Sequence, residues 1–302
     1  MWGPIVVASF LLLIQGSNTS EDGSSDSSLQ KMSDTIVVAG TFGFATLSVG
    51  DTEWRYLPRT MRHPRLRPAA ACINGTVYII AGYDLNKSGP ESMVTYDLSK
   101  QKYSMEIPLP VPIQRNGGAV YKDGMIYVFG YENSLRFNIA KICWSILGKL
   151  EDIHDGLTVT IIDDTVYACE SDEARCQKYA LRTNEWSDLP SMTKVAAVPN
   201  IIALNGLIYS IGGADDDYDP VSSAEVYNPS TGSWSSIAPM AQARQRPILA
   251  VLDGKIYAIG GIPQISKTYS VEIYDPTTNT WTNGPMLKDD NGSPEAAASC
   301  YP

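Results

Sequence analysis

The stretch Val271-Glu272-Ile273-Tyr274-Asp275-Pro276 leads to Trp281, which follows Tyr274 by seven residues. The same interval joins an apolar or aromatic residue to a second aromatic residue at five further places. These pairs are Tyr227/Trp234, Tyr179/Trp186, Phe137/Trp144, Tyr96/Tyr103 and Leu47/Trp54. Five of the six tryptophans occupy this one position. Recurrence at a fixed interval indicates a fold built from repeated units.

A second fixed point lies upstream of the pair, where an apolar run ends in glycine. It reads Gly254-Lys255-Ile256-Tyr257-Ala258-Ile259-Gly260-Gly261 in one copy and Gly206-Leu207-Ile208-Tyr209-Ser210-Ile211-Gly212-Gly213 in another. The double glycine, the tyrosine and the later tryptophan together resemble the kelch motif over almost all of residues 34–302. The resemblance implies a β-propeller whose repeated aromatic residues pack between blades. The doublet becomes Ala81-Gly82, Gly130-Tyr131 and Glu170-Ser171 elsewhere, so we expect those blades to be less regular at this turn.

Each repeat also contains a hairpin turn between its first two strands. The turns are Asn74-Gly75, Asp123-Gly124, Asp163-Asp164, Asn205-Gly206 and Asp253-Gly254. Four of these five dipeptides favour the left-handed backbone of a type I′ turn. Strands in this pattern predict four-stranded blades, and the absence of Gly-His and Trp-Asp dipeptides disfavours a WD40 propeller.

The blade count comes from the two ends of the repeat region. Five full blades are predicted, at residues 62–110, 111–152, 153–192, 193–241 and 242–287. Residues 34–61 supply only three strands, and the tail from Pro294 to Cys300 resembles the strand from Pro68 to Cys72. We therefore predict an all-β, six-bladed propeller whose C-terminal strand completes the first blade, which hides the sheet edges that an open blade would expose.

The composition excludes some classes of partner. The chain has 302 residues, 44% of them hydrophobic, and a formal net charge of -10. Nucleic-acid binding needs a basic footprint, so this charge argues against it and against broad adhesion to anionic membranes. It says little about a specific protein partner.

The N-terminus carries an apolar run from Ile5 to Ile14, which is too short to span a bilayer. Such a run is typical of a signal peptide, which we assign to residues 1–17. Residues 18–33 read as a flexible linker rich in Ser and Asp, and residues 34–302 as the propeller. The interpretation predicts a secreted, extracellular protein. The alternative is a leader that stays attached as a buried or disordered segment.

The five cysteines suggest two disulfides if the chain is secreted. Cys169 and Cys176 lie on adjacent strands of one hairpin and can approach bridging distance. Cys72 and Cys300 fall at equivalent sites of adjacent inner strands, where a bridge would lock the ring. Cys143 is then the odd thiol. The alternative is that all five pack as small buried groups.

N-glycosylation sequons occur at Asn18, Asn74, Asn86 and Asn291. The last three fall in a hairpin turn, a loop and the link before the closing strand. These are exposed positions of the predicted fold, so we predict glycosylation at Asn74, Asn86 and Asn291.

No catalytic or metal motif accompanies the repeats. The copper oxidases among kelch-like propellers need converging histidines, and this chain has only His63 and His154, in loops that enter different blades. We predict no metal and no cofactor. Asp215-Asp216-Asp217-Tyr218-Asp219 could bind calcium but lacks the glycine and final glutamate of an EF-hand loop, so a solvated acidic loop is favoured. Kelch-like sialic-acid mutarotases are six-bladed and use no metal, which keeps a sugar isomerase or epimerase as an alternative.

Basic residues instead recur where one blade leads to the next. Arg67 and Arg246 each lie eleven residues before a repeat tyrosine, and equivalent positions of a propeller recur around one face. The predicted binding rim around the channel mouth consists of Arg62, His63, Arg65, Arg67, Arg115, Asn116, Arg244 and Arg246, with Tyr83 and Tyr131 on the same face. The alternative is that these arginines pair with nearby carboxylates and only cap strand ends.

A basic mouth would attract carboxylate, phosphate or sulfate groups, to which arginine makes bidentate contacts. The kelch domains of ubiquitin-ligase adaptors are similar in binding acidic peptides through arginines of this face. We therefore predict a secreted binding module for a protein or an acidic glycan, without enzymatic activity, of which an extracellular-matrix component is one form. The alternatives are a cytosolic kelch adaptor or actin-binding fragment, and a propeller enzyme.

Overall fold

The computed structural model describes residues 11–12, 35–40, 43–58, 65–84, 92–113, 117–130, 133–148, 157–170, 174–195, 197–262, 268–288 and 294–301. The regular elements within these ranges are all strands. Six antiparallel sheets of four strands each form the ring, as predicted. We number the blades 1 to 6 along the chain and letter the strands of each blade A to D from the innermost outward.

Blades 1 to 3 have strands of two to eight residues. Blade 1 consists of strands A to D at Pro294–Tyr301, Thr35–Gly40, Phe44–Ser48 and Arg55–Tyr56. Blade 2 consists of Ala69–Ile73, Thr76–Ile80, Ser92–Asp97 and Lys102–Pro108. Blade 3 consists of Gly118–Lys122, Met125–Phe129, Ser134–Asn138 and Cys143–Gly148.

Blades 4 to 6 follow the same order along the chain. Blade 4 consists of Leu157–Ile162, Thr165–Glu170, Cys176–Ala180 and Glu185–Asp188. Blade 5 consists of Ile201–Leu204, Leu207–Ile211, Ala224–Asn228 and Ser233–Ile237. Blade 6 consists of Ile248–Leu252, Lys255–Ile259, Val271–Asp275 and Thr280–Asn283.

The ring closes through the C-terminal strand, Pro294–Tyr301. This strand pairs antiparallel with Thr35–Gly40 and so becomes strand A of blade 1. Its last two residues also pair in parallel with strand A of blade 2, with Cys300 opposite Cys72. The prediction that the tail completes the first blade is therefore confirmed.

The A–B hairpins have the backbone that their sequences predict. Both residues of Asn74-Gly75, Asp123-Gly124, Asn205-Gly206 and Asp253-Gly254 have positive φ values. In the fifth turn Asp163 alone has a positive φ value, of 52°. The type I′ preference of Asn-Gly and Asp-Gly thus explains four of the five turns.

The core consists of the interfaces between neighbouring blades. Within blades 2 to 6 the rings of each repeat pair contact each other in tilted or edge-on arrangements with centroids 4.8 to 5.2 Å apart, as Tyr274 and Trp281 do at 5.1 Å. Three indoles also donate to a carbonyl of the preceding blade. These bonds join Trp54 Nε1 to Pro285 O, Trp234 Nε1 to Pro190 O and Trp281 Nε1 to Ala238 O, at 2.8 to 2.9 Å. The repeated aromatic residues therefore hold the ring together.

Two disulfides are present, at the positions that the sequence suggested. Cys169 and Cys176 bridge strands B and C of blade 4, and Cys72 and Cys300 bridge the inner strands of blades 2 and 1. Cys143 is a free, exposed thiol. The alternative in which all five cysteines are buried packing groups is therefore wrong for Cys143.

A two-residue strand from the N-terminal segment lies at the centre of the ring. Leu11–Leu12 pairs in parallel with Ala297 and Ala298 of the closing strand and contacts the inner strands of the other blades. It falls within the predicted signal peptide, and the predicted linker at residues 18–33 lies outside the described residues. Across the described ranges, no helix is long and apolar enough to cross a membrane.

Candidate binding face of the ring

The D–A links and the B–C loops lie on one face of the ring, which we call the link face. In blade 2 the link residues Arg65 and Leu66 pair with Asp84 and Tyr83 of the B–C loop. In blade 6 Gln245 and Ile262 exchange two backbone hydrogen bonds of 2.8 Å. The backbone pairing therefore brings these two predicted components of the rim together.

The A–B and C–D turns lie on the opposite face. Leu98 N donates to Gly75 O at 3.0 Å, and Ile139 N donates to Gly124 O at 3.1 Å. Each bond joins a C–D turn to the A–B turn of its own blade. Asn74, one of the predicted glycosylation sites, is exposed in such a turn and so lies away from the link face. The sequons at Asn86 and Asn291 lie outside the described residues.

Arg244, on the link into blade 6, is buried and clamps the B–C loop of that blade. Its Nη1 donates to Gly260 O at 2.6 Å and to Ser270 O at 3.2 Å, the two backbone ends of the loop. Its Nη2 lies 3.1 Å from Glu272 Oε1, and both side chains are less than 5% exposed. Burial lowers the pKa of Arg244, while Glu272 opposes that shift by favouring the charged guanidinium.

Arg65 occupies the aligned position on the link into blade 2 and makes the same clamp. Its Nη1 donates to Ala81 O at 2.9 Å and to Ser92 O at 2.6 Å, and its Nη2 donates to Ser92 Oγ at 2.8 Å. The side chain is 1% exposed. The predicted ligand-binding role of Arg65 and Arg244 is therefore wrong, because both guanidinium groups are buried and hydrogen-bonded inside the protein.

Buried glutamates fix the links in blades 5 and 6, and the sequence analysis missed them. Glu272 accepts from Ala241 N at 2.6 Å and from Gln242 N at 3.2 Å. Glu225 accepts from the backbone N and the hydroxyl of Thr193 and from Lys194 N. Glu272 and Glu225 each stand two residues before the strand C tyrosine of their blade, Tyr274 and Tyr227. Aligning the repeats on that tyrosine would therefore have revealed the two glutamates.

Arg67 and Arg246 share an unusual backbone conformation two residues after the clamp. Their φ values are 53° and 54°, and Val198, at the aligned position of blade 5, has 50°. All three residues precede proline, and an L-residue in the left-handed region costs energy. Asn116 and Gly156, the aligned residues of the other two links, tolerate this conformation best. The side chains of Arg67 and Arg246 are half-buried, in contrast to the buried clamp arginines.

The remaining predicted rim residues fall largely outside the described residues. This applies to Arg62, His63, Arg115, Asn116 and Tyr131. Tyr83 is described through its backbone pairing with Leu66. Of the predicted rim, the structure thus brings the links and the loops of blades 2 and 6 to one face and leaves Arg67 and Arg246 as its half-buried cations.

The acidic loop of blade 5 also lies on the link face, between strands B and C. Asp215 Oδ1 accepts from Asp217 N at 3.1 Å and from Asp219 N at 2.9 Å, which folds the loop into a tight turn. Tyr218, at the tip of this loop, has a φ value of 63° and is 56% exposed. Among the described residues, no group of three or more His, Cys, Asp or Glu side chains could hold a metal ion.

Comparisons with known proteins agree with the repeat assignment. The family model of the Kelch motif matches residues 200–241 and 249–287, which are blades 5 and 6. Two zebrafish (Danio rerio) proteins are similar over parts of the chain. Kelch-like protein 21 is 30% identical over 89 residues, covering 29% of this chain and 14% of that protein. Kelch-like protein 41a is 34% identical over 177 residues, covering 53% of this chain and 29% of that protein.

The fold itself matches a solved structure. The structure titled "Structure of YjhT" has a TM-score of 0.69 at 15% sequence identity, covering 83% of this chain and 94% of that chain. At this identity the match concerns the fold alone. The chain spans less than a third of the length of the two curated relatives described above.

Proposed function

Because the chain belongs to the kelch-repeat β-propellers, we propose that it is a secreted binding module that recognises an acidic protein or glycan at its link face. The observation that carries this proposal is the pair Arg67 and Arg246. They occupy the same position of blades 2 and 6 and share one left-handed backbone conformation. Blades 2 and 6 are the two neighbours of blade 1 in the ring, so blade 1 alone separates the two blades whose links carry these arginines.

The chemistry of the pair favours an anionic partner. Guanidinium groups bind carboxylates and sulfates through two parallel hydrogen bonds. The chain has a net charge of -10, so an anionic partner is repelled from most of its surface. A local basic surface at the channel mouth would therefore orient the partner toward that site.

The cysteines support the secreted part of the proposal. Two disulfides join four of the five cysteines, and disulfides form and persist mainly in oxidising compartments. The exposed sequon at Asn74 lies on a face that a glycan would leave clear of the proposed site. Cleavage after residue 17 would also remove Leu11–Leu12 from the centre of the ring.

The test uses two defined anionic probes, heparin and a polyglutamate peptide, presented to the full chain. We expect Arg67→Ala/Arg246→Ala to weaken binding of one or both probes at least about tenfold, since each lost charged contact contributes more than about 1 kcal/mol. The matched control is Lys100→Ala/Lys141→Ala, which removes two exposed charges from turns of the opposite face. Equal binding by the two double variants would refute the proposed site.

Secretion is tested separately by sequencing the N-terminus of protein recovered from the medium of expressing cells. The proposal predicts a new N-terminus near residue 18. An intact Met1 on protein retained inside the cell would instead favour the cytosolic adaptor.

A further inference from the structure

The exposed phenol of Tyr218 combines features of an acceptor for covalent modification. Tyr218 stands at the tip of the blade 5 B–C loop and is 56% exposed. The other tyrosines whose side chains are described are buried or half-buried. Burial raises the pKa of Tyr167 and of Tyr274 to about 12, which accords with phenols that are shielded from solvent. Tyr218 is therefore the one described phenol that a modifying enzyme could reach without opening a blade.

The charges around this phenol are of one sign. Asp216, Asp217 and Asp219 are exposed next to it in the chain. The sequence holds no Lys, Arg or His between Lys194 and Arg244. Among the described side chains, no cation lies within ion-pairing distance of these three carboxylates. The negative charges of Asp216, Asp217 and Asp219 are thus not neutralised by basic residues of the same blade.

The backbone presents the tyrosine as a fixed projection. Tyr218 N donates to Asp215 O at 3.0 Å, and Asp215 N donates to Asp219 O at 3.1 Å. These bonds close the loop below the Tyr218 side chain. A modifying enzyme therefore binds a preformed segment, and little conformational entropy is lost on binding.

We propose that Tyr218 is a site of tyrosine O-sulfation, an inference that rests on the secretory route of the proposed function. The donor is a nucleotide phosphosulfate. The phenolic oxygen forms a bond to sulfur, the bond from sulfur to the bridging phosphate oxygen breaks, and the phenolic proton passes to a base of the transferase. The products are the sulfate ester and the nucleotide phosphate, with no change of oxidation state.

Electrostatic complementarity is the reason for preferring this modification. A transferase that binds an anionic phosphosulfate needs a basic cleft, and an acidic segment around the acceptor is attracted to such a cleft. Phosphorylation of the same phenol would add more negative charge than a sulfate ester does, and it is a different proposal, tested as an outcome below.

The test starts from the full chain secreted by an animal cell line. Trypsin releases residues 195–244 as one peptide, which contains Tyr209 and Tyr227 as buried internal controls beside Tyr218. We expect this peptide to carry the mass of one sulfate ester that resists phosphatase. Fragmentation should locate the group on residue 218, and Tyr218→Phe should abolish it. Asp217→Asn/Asp219→Asn keeps the phenol and the Asp215 turn, and should reduce the modified fraction several-fold.

Each outcome decides the matter. Secreted protein with an unmodified Tyr218, with a phosphatase-sensitive group, or with sulfate on Tyr209 or Tyr227 overturns the proposal. Protein that is not secreted contradicts the proposed function instead. In that case the purified full chain is incubated with a tyrosine sulfotransferase and labelled phosphosulfate. Label that Tyr218→Phe abolishes supports the acceptor site, and absence of label overturns it.

Discussion

The junction between blades 5 and 6 and the seam between blades 1 and 2 hold neighbouring sheets together by different means. At the first junction a continuous chain passes from one blade to the next, and buried side chains fix it, with Glu272 bridging Arg244 and two backbone amides. At the seam the chain also runs on from strand D of blade 1 into blade 2, and a parallel strand pair and the Cys72–Cys300 disulfide in addition join the C-terminal strand of blade 1 to strand A of blade 2. The comparison teaches that the C-terminal strand, which no hairpin turn joins to the other strands of blade 1, is instead linked covalently to the neighbouring blade.

The arginine clamp repeats on both sides of this comparison with a different counter-charge. Arg244 faces the buried carboxylate of Glu272. At the aligned position of blade 2 stands Val94, and Arg65 instead lies 4.0 Å from Glu106, whose side chain is 56% exposed. The two blades therefore share the geometry of the arginine clamp but differ in the carboxylate that balances the charge of the arginine.

The largest expected effect comes from opening the seam. In a Cys143→Ser background, which removes thiol exchange, we expect Cys72→Ser/Cys300→Ser to lower the free energy of unfolding by about 5 kcal/mol. The matched variant Cys169→Ser/Cys176→Ser should cost about 2 kcal/mol, because its sequence separation is 7 residues against 228 at the seam. Urea denaturation measures both values. Equal losses in unfolding free energy would show that the Cys72–Cys300 disulfide stabilises the ring no more than the short-range disulfide does.

A smaller effect distinguishes the two clamps. Glu272→Gln leaves the buried Arg244 without its counter-charge, and we expect a loss of about 3 kcal/mol. Glu106→Gln removes an exposed partner and should cost at most about 1 kcal/mol. Thermal or urea denaturation at neutral pH compares them. A loss for Glu106→Gln as large as that for Glu272→Gln would contradict the assignment of the buried carboxylate as the stabilising partner.

Most of the fold could be predicted from the sequence because short motifs within each repeat determine its strands and turns. The interval between Tyr274 and Trp281 marks strands C and D, and dipeptides such as Asn205-Gly206 determine the turns. The closing strand was predictable because Pro294–Cys300 resembles another inner strand. Gly130-Tyr131 and Glu170-Ser171 replace the double glycine in blades 3 and 4, and the less regular turns predicted there lie largely outside the described residues.

The candidate site was harder to predict because alignment gives a position and not an environment. Arg244 and Arg246 both belong to the same short basic stretch, yet one is buried in a clamp and the other half-buried beside it. The difference depends on Glu272 and on the ends of the B–C loop, which are distant in sequence. Only the three-dimensional contacts separate the arginine that stabilises the fold from the one proposed to bind a partner.

That separation is tested most directly by the unfolding free energies of Arg244→Ala and Arg246→Ala, measured side by side by urea denaturation. We predict a loss of about 3 kcal/mol or more for Arg244→Ala, because Glu272 is left buried without its cation. Arg246→Ala should change stability by less than about 1 kcal/mol, as is usual for a side chain outside the core. Comparable losses for the two variants would contradict the division between fold and binding face.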